Sequence, residues 1–242
     1  MRVIYEPRGK AKEYSKLAVN LYTGCNYGCK YCYVPSIRRL DREDFRLEIK
    51  ERKDILKKTE KDLIDLNKGN NKERILLCFT CDPYQSIEEE LKLTRSVLKL
   101  IKKYNMNFQI LTKGGSRAER DFDLYKKGDA FATTLTFTND NDSVKFEPFA
   151  PLPGNRINAI KKAKEVGLET WVSLEPVISP DQSLEIINRT HDFVDKFKVG
   201  KINHFKQLQE GIDWHEFVNK AIEKLESYGK SYYIKKDLAV YI

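Results

Sequence analysis

The strongest constraint on what this chain can fold into is an alternation. Short apolar runs that read as buried strands are separated by stretches with helical spacing, and the pattern recurs about six times. The predicted strands are LAVNLYT (17–23), ILLCFT (75–80), FQILT (108–112), FATTLTF (131–137), LETWVSLEPVI (168–178) and FVDKFKVG (193–200). Residues 51–68 place Ile55, Leu56, Leu63 and Leu66 at helical spacing before GNN stops the helix. Residues 87–104 form an amphipathic helix with Leu91, Val97, Leu98 and Ile101 on its inner face. Helices are also predicted at 116–127, 156–167 and 183–192, and at 213–229 with Trp214, Phe217, Ile222 and Leu225 inward. Connections this short imply a parallel sheet built from right-handed βαβ units. Six units fall short of the eight that close a TIM barrel, so an open partial barrel and a doubly wound sheet both satisfy the pattern.

In either arrangement the reactive edge lies at the C-terminal ends of the strands. Those ends read TGC (23–25), TCDPYQ (80–85), LTKGG (111–115), TFTND (136–140), SLEP (173–176) and VGKIN (199–203). Core packing does not ask for polar groups after every apolar run. A functional site at one edge does.

Composition narrows the setting. A hydrophobic share of 40% in 242 residues supports a real core. The lead MRVIYEPRGKAKEY carries charge and proline where an export signal needs an apolar run. No stretch approaches the roughly 18 apolar residues of a membrane span. The expectation is a soluble cytoplasmic protein with no membrane partner. The net charge of +8 suits an anionic partner such as nucleic acid. A lysine-rich solvated surface accounts for it equally well, because no arginine-rich arm stands out.

Five cysteines in such a setting point to metal ligation or thiol chemistry rather than disulfides. Three of them, Cys25, Cys29 and Cys32, fall within TGCNYGCKYCYVP. Zinc asks for four ligands in paired spacings. No fourth ligand follows locally, and His191, His204 and His215 lie far downstream, although Cys78 or Cys81 could complete a zinc site. Three thiolates suit three irons of a 4Fe–4S cluster, whose fourth iron stays open to a ligand that is not protein. Gly24 and Gly28 let the backbone turn tightly around such a cluster. An open iron beside a cofactor pocket is what one-electron cleavage of S-adenosylmethionine requires.

CNYGCKYC matches the CxxxCxxC signature of radical S-adenosylmethionine (radical SAM) enzymes, including the aromatic Tyr31 before the last cysteine. CDPYQSIEEELKLTR, ILTKGGSRAERDFDLY, EPFAPLPGNRINAI (147–160) and TWVSLEPVI (170–178) resemble the branch that includes spore photoproduct lyase and proteins like DNA repair photolyases. The resemblance covers roughly residues 17–205. It implies a partial (β/α)6 TIM-type barrel with a parallel sheet, preceded by a basic extension (1–16) and followed by a helix and tail packed on the core (206–242). It further implies that the amino and carboxylate groups of S-adenosylmethionine chelate the open iron. Reductive cleavage then gives methionine and a 5′-deoxyadenosyl radical that abstracts hydrogen from substrate. The electron comes from a reductant protein such as flavodoxin or ferredoxin.

Carried over position by position, the resemblance makes Cys25, Cys29 and Cys32 the cluster ligands and places Tyr31 near the adenine. Thr80, Cys81 and Asp82 end the second strand, where the family contacts the methionine amino group; an acceptor there suits an ammonium. Lys113 ends the third strand and would pair with the cofactor carboxylate, and Thr136 would hydrogen-bond ribose or carboxylate. Glu147, Arg156 and Glu175 are further cofactor candidates, equally able to form ion pairs at the barrel mouth. The lyase uses a cysteine near the second strand as a hydrogen donor, which makes Cys78 and Cys81 the catalytic candidates. Two positions depart from the branch pattern: Cys81 replaces a threonine, and Ser86 follows Gln85 in place of proline. The substrate class expected is nucleic acid or nucleotide. The alternatives are a protein or small metabolite, and, in another class, a zinc-stabilised nucleic-acid-binding module without catalysis.

Overall fold

The computed structural model describes residues 2–203 and 205–242; His204 lies outside the described residues. Eight strands form one sheet in which each strand lies beside its neighbour in sequence. They are β1 (Ile4–Tyr5), β2 (Leu17–Val19), β3 (Ile75–Leu77), β4 (Phe108–Thr112), β5 (Ala130–Thr134), β6 (Glu169–Val177), β7 (Lys196–Lys201) and β8 (Ser231–Ile234). β1 runs antiparallel to β2, and every other pairing is parallel. The six predicted strands are β2 to β7, and they build the partial (β/α)6 barrel. β1 lies within 1–16 and β8 within 206–242, so the sheet extends into both flanks of the core.

The helices are α1 (Val34–Arg38), α2 (Arg42–Leu47), α3 (Ile55–Lys68), α4 (Glu88–Leu91), α5 (Leu93–Lys103), α6 (Asp140–Phe146), α7 (Pro153–Glu165), α8 (Pro180–Thr190), α9 (Trp214–Ser227) and α10 (Lys236–Ala239). The two faces of the sheet bury different residues, as the two-residue strand period demands. Phe131, Val172, Leu174, Phe197 and Val199 face the helices and belong to the main core. Ala130, Ala132 and Trp171 face inward and form a small cluster with Leu111 and Tyr14. The alanines on β5 leave the inside of the barrel open. Among the described residues no helix is long and apolar enough to cross a membrane.

Several expectations needed correction. The helix predicted over 87–104 breaks at Lys92, whose φ is 48°. Its cause is the buried carboxylate of Glu88, which accepts from Thr94 N at 2.8 Å and from the Tyr22 hydroxyl, and so turns the backbone out of the helix. Leu91, expected on the inner face, is 40% exposed at that break. Residues predicted as a helix at 116–127 wind as a 3-10 segment over Gly115–Leu124. Buried Asp121 there accepts from Tyr84 and from the guanidinium groups of Arg95 and Arg120. Ile222 is only partly buried. α1, α2 and α6 were not anticipated; α2 and α6 are each opened by a capping side chain, Asp41 and Asn139.

Candidate active site

The three close-set cysteines lie on the loop between β2 and α1. Gly24 runs so close to α2 that a Cβ there would meet the Phe45 carbonyl oxygen at 2.7 Å. Cys25 N donates to that carbonyl at 3.1 Å, and Cys32 N to the Cys29 carbonyl at 2.9 Å. Gly28 sits at φ +60° against Phe149 and Arg46, a conformation open to glycine. The loop is also gripped from the end of β3. Gln85 is fully buried; its Oε1 accepts from Asn26 N at 3.0 Å and its Nε2 donates to the Gly24 carbonyl at 3.2 Å. The Tyr27 hydroxyl donates to the Tyr84 carbonyl at 2.8 Å.

One cavity of about 570 Å³ receives all three cysteines, with Tyr31, Cys78, Thr80, Cys81, Asp82, Lys113 and Glu175 in its lining. Thr136, Glu147 and Arg156 do not line it. They lie behind Tyr31, where the buried carboxylate of Glu147 accepts from the Tyr31 hydroxyl and pairs with Arg156 at 2.6 Å. β5 ends at Thr134, and Thr134 takes the place on the wall expected of Thr136. The Thr136 hydroxyl is instead 3.3 Å from that of Tyr31. Burial pushes the Glu147 carboxyl up, but Arg156 and then Lys113 outweigh it and hold the group below its ordinary value. Lys113 Nζ is 3.9 Å from Glu147 and 5.4 Å from the Tyr31 ring centroid. Lys113 also acts on the carboxylate of Asp82, so two cations, Lys113 and Arg156, stand against two carboxylates, Glu147 and Asp82, beside Tyr31.

Asp82 braces two strand ends. Its carboxylate accepts from Thr112 Oγ1 at 2.5 Å, Lys113 N at 2.7 Å and Tyr84 N at 2.8 Å. Burial still raises its pKa above the usual carboxylate value. Thr80 Oγ1 accepts from Arg38 at 3.1 Å. β3 ends at Leu77, before both Cys78 and Cys81, and both thiols line the cavity. Burial pushes the Cys78 thiol well above its usual range.

Across the cavity lies a cluster that the sequence did not reveal. Glu175 accepts from Lys235 Nζ at 2.8 and 3.0 Å and from the hydroxyl of Tyr14, which is also 2.8 Å from Ser173 Oγ. Gly200 makes room for this pair, because a Cβ there would lie 2.8 Å from Lys235 Cδ and 3.0 Å from Glu175 Cδ. Tyr14 and Lys235 sit outside the predicted core, with no motif to mark them. Nor did any local pattern mark Gln85 as an anchor; only its place in CDPYQ hinted at a role.

The donor set fits an iron–sulfur cluster. Burial pushes the Cys29 thiol up to about 12 and the Cys25 thiol well above its usual range, so a cation is needed to hold these sulfurs as thiolates. Among the described residues no three His, Cys, Asp or Glu side chains are grouped so as to hold a single metal ion. In a cluster each thiolate meets its own iron. His191 stacks on Tyr228 at 3.8 Å, and His215 Nδ1 lies 2.6 Å from the Tyr241 carbonyl oxygen.

The partial (β/α)6 barrel gathers thiols, an acid and a lysine at the C-terminal ends of its strands, the face on which barrel enzymes carry their active sites. The chain belongs to the Radical SAM superfamily, whose pattern matches residues 19–194, and it is a radical SAM enzyme. It is 34% identical over 188 residues to the uncharacterized protein MJ0683 of Methanocaldococcus jannaschii, covering 75% of this chain and 68% of that one. It is 25% identical to the radical SAM cyclopropyl synthase TigE of Paramaledivibacter caminithermalis, over 84% of this chain and 44% of the synthase. Among solved structures, spore photoproduct lyase complexed with dinucleoside spore photoproduct superposes with a TM-score of 0.68 at 16% identity, over 95% of this chain and 79% of the lyase. Streptococcus suis SuiB bound to S-adenosylmethionine gives 0.64 at 13% identity, over 90% and 49%. At these identities the likeness is one of fold.

Proposed function

We propose that the chain ligates a 4Fe–4S cluster through Cys25, Cys29 and Cys32, binds S-adenosylmethionine beside it, and acts on a nucleic acid or nucleotide. The observation that carries this reading is the single cavity joining the three thiols to Tyr31, Asp82 and Lys113. Cluster and cosubstrate supply one-electron cleavage of a carbon–sulfur bond and the hydrogen abstraction that follows. The residues of the chain hold and orient. Lys113, whose side chain lines the cavity, presents its ammonium to a carboxylate. Asp82 has three acceptor positions taken out of about four, which leaves one for an ammonium. Tyr31 is pinned by Glu147 so that its ring stays on the cavity wall for an adenine, with Thr136 and Arg156 fixing the pair from behind. Thr80 stands beside the cysteines, and Glu175 faces them from the opposite wall. Cys78 or Cys81, both in the lining of the cavity, would return a hydrogen atom to substrate. In this reading residues 17–205 carry the chemistry, while 1–16 and 206–242 supply Tyr14 and Lys235 to the far wall.

The nucleic-acid substrate is supported by the net charge of +8 and by the fold shared with spore photoproduct lyase. A second reading, modification of a peptide, draws on the likeness of fold to SuiB, solved bound to a precursor peptide, at a TM-score of 0.65. The electron would come from a flavodoxin- or ferredoxin-like protein. Anaerobically prepared protein should carry about four irons and four sulfides per chain. When reduced, it should convert S-adenosylmethionine to methionine and 5′-deoxyadenosine. The Cys29→Ala variant should lose both properties. Stoichiometric zinc without iron, or full cleavage by Cys29→Ala, would overturn the proposal. Binding of DNA or RNA that falls steeply with salt supports the substrate class, and a mass change in a peptide alone replaces it.

A further inference from the structure

At the other end of the barrel, below the N-terminal ends of β4 to β7, a second cavity of about 540 Å³ opens. Its lining is polar, with six basic residues against three acidic ones. Lys16 is taken by Glu73 at 2.6 Å and Arg74 by Glu169 at 2.8 Å, which leaves Lys12, Lys72, Lys196 and Lys198 facing Glu13. Glu13 itself accepts from the Tyr233 hydroxyl and from Lys236 N.

Lys198 differs from the other three because it is only 8% exposed. Its ammonium donates to the carbonyls of Glu13 and Tyr14 at 3.3 and 3.1 Å, and lies 4.8 and 4.7 Å from the ring centroids of Tyr14 and Trp171. Among the described residues no carboxylate comes within ion-pair distance of it. Burying a charge without a counter-charge costs several kcal/mol. Burial, with Lys196 and then Lys235 adding to it against Glu13 and Glu175, lowers its pKa to about 8.

We propose that this cavity binds a small phosphate-bearing anion, with the phosphate seated on Lys198 and steadied by Lys196, Lys72 and Lys12. A compact, multiply charged oxyanion offers several acceptors to ammonium groups that approach from different elements. It also provides the counter-charge that the protein itself withholds from Lys198. The side chains of Asn107 and Gln109 share the lining and offer amide groups to the remainder of a phosphorylated molecule. The volume falls within the range of small-molecule sites, about 300–1,000 Å³. The proposal does not depend on the cluster. It does connect to the upper cavity, since Lys198 holds the carbonyl of Tyr14 while the hydroxyl of Tyr14 reaches Ser173 and Glu175.

The test is calorimetric titration of inorganic phosphate, pyrophosphate and adenosine monophosphate into the purified chain, with ionic strength held constant by sodium chloride. One saturable event per chain is expected. Lys198→Met should weaken it about tenfold or more. The double variant Lys72→Gln/Lys196→Gln should do the same while keeping the buried residue in place, so that a folding defect cannot imitate the result. Lys99→Gln on the outer helix should bind as wild type. Tighter binding of adenosine monophosphate than of phosphate assigns the site to a phosphorylated small molecule, and equal affinity assigns it to the free ion. A response without saturation, or wild-type affinity in both the Lys198 and the double variant, overturns the proposal.

Discussion

Lys198→Met should make the ligand-free protein more stable at neutral pH. The site lowers the pKa of the amine from its ordinary 10.5 to about 8. At about 1.4 kcal/mol per unit, holding Lys198 protonated at pH 7 costs about 3 kcal/mol. Methionine fills much of the same space without the charge. Lost with the ammonium are its contacts with the rings of Tyr14 and Trp171 and two bonds to carbonyls. The Tyr14 carbonyl keeps a donor in Gln109 Nε2 at 3.0 Å. With those losses set against it, the net gain is about 1–2 kcal/mol. For a chain of this length that raises Tm by about 2–8 °C. The pH dependence follows from the same shift. Between pH 8 and 10.5 the unfolded chain still holds the proton that the folded chain has released, so wild-type stability rises with pH in that window. The advantage of Lys198→Met should therefore be greatest at pH 7 and shrink toward pH 10.5. Thermal unfolding of both proteins in phosphate-free, low-salt buffer at pH 7 and pH 10 measures it. A variant that loses as much stability at pH 7 as at pH 10 would refute the reasoning.

Two further substitutions test the architecture of the upper site. Gln85→Leu strips the Gly24 carbonyl and Asn26 N of a buried partner, at about 1–3 kcal/mol for each group left unsatisfied. Iron content after anaerobic reconstitution should fall along with Tm, and full iron content with an unchanged Tm would show that the amide does not hold the loop. Gly114→Ala would place a Cβ 2.4 Å from Tyr84 Cβ and 2.9 Å from the Tyr84 carbonyl oxygen. The φ of Gly114 is an ordinary −66°, so the demand is for space alone. A loss of about 1–3 kcal/mol or more is expected in denaturant unfolding, and a neutral result would mean that the two strand ends can separate freely.

The strands and the reactive edge were legible because both rest on local signals. An apolar run of four to six residues followed by polar ones is visible without knowing its neighbours, and so is the spacing of Cys25, Cys29 and Cys32. The helix over 87–104 failed for the opposite reason. Its apolar spacing is intact, but the hydrogen bond that breaks it comes from a carboxylate that is buried only once Tyr22 and Arg120 close over it. The predicted strand over 131–137 runs three residues past the real end of β5, and that extension is what puts Thr136 on the wall. Glu147 and Arg156 pair with each other, and the pattern held nothing to show that Tyr31 would stand between them and the cavity. Tyr14, Gln85 and Lys235 were invisible as a group. Each acts on a residue about 60 or more positions away, and sequence periodicity carries no information at that range.

The junction at Glu175 also has a bearing on the order in which the molecule is built. Every strand pairs with its successor in the chain, so the sheet can zip forward through short closures that are each inexpensive in entropy. Tyr14 and Glu175 are instead 161 residues apart, and Lys235 joins 60 residues later. The cysteine loop, Asp82 and Lys113 can therefore reach their final places while β6 to β8 are still unformed. The opposite wall exists only once Tyr14 and Lys235, one from each flank, have reached Glu175 on β6. One side of the cavity is thus drawn from the first half of the chain, and the other joins residues from both of its ends.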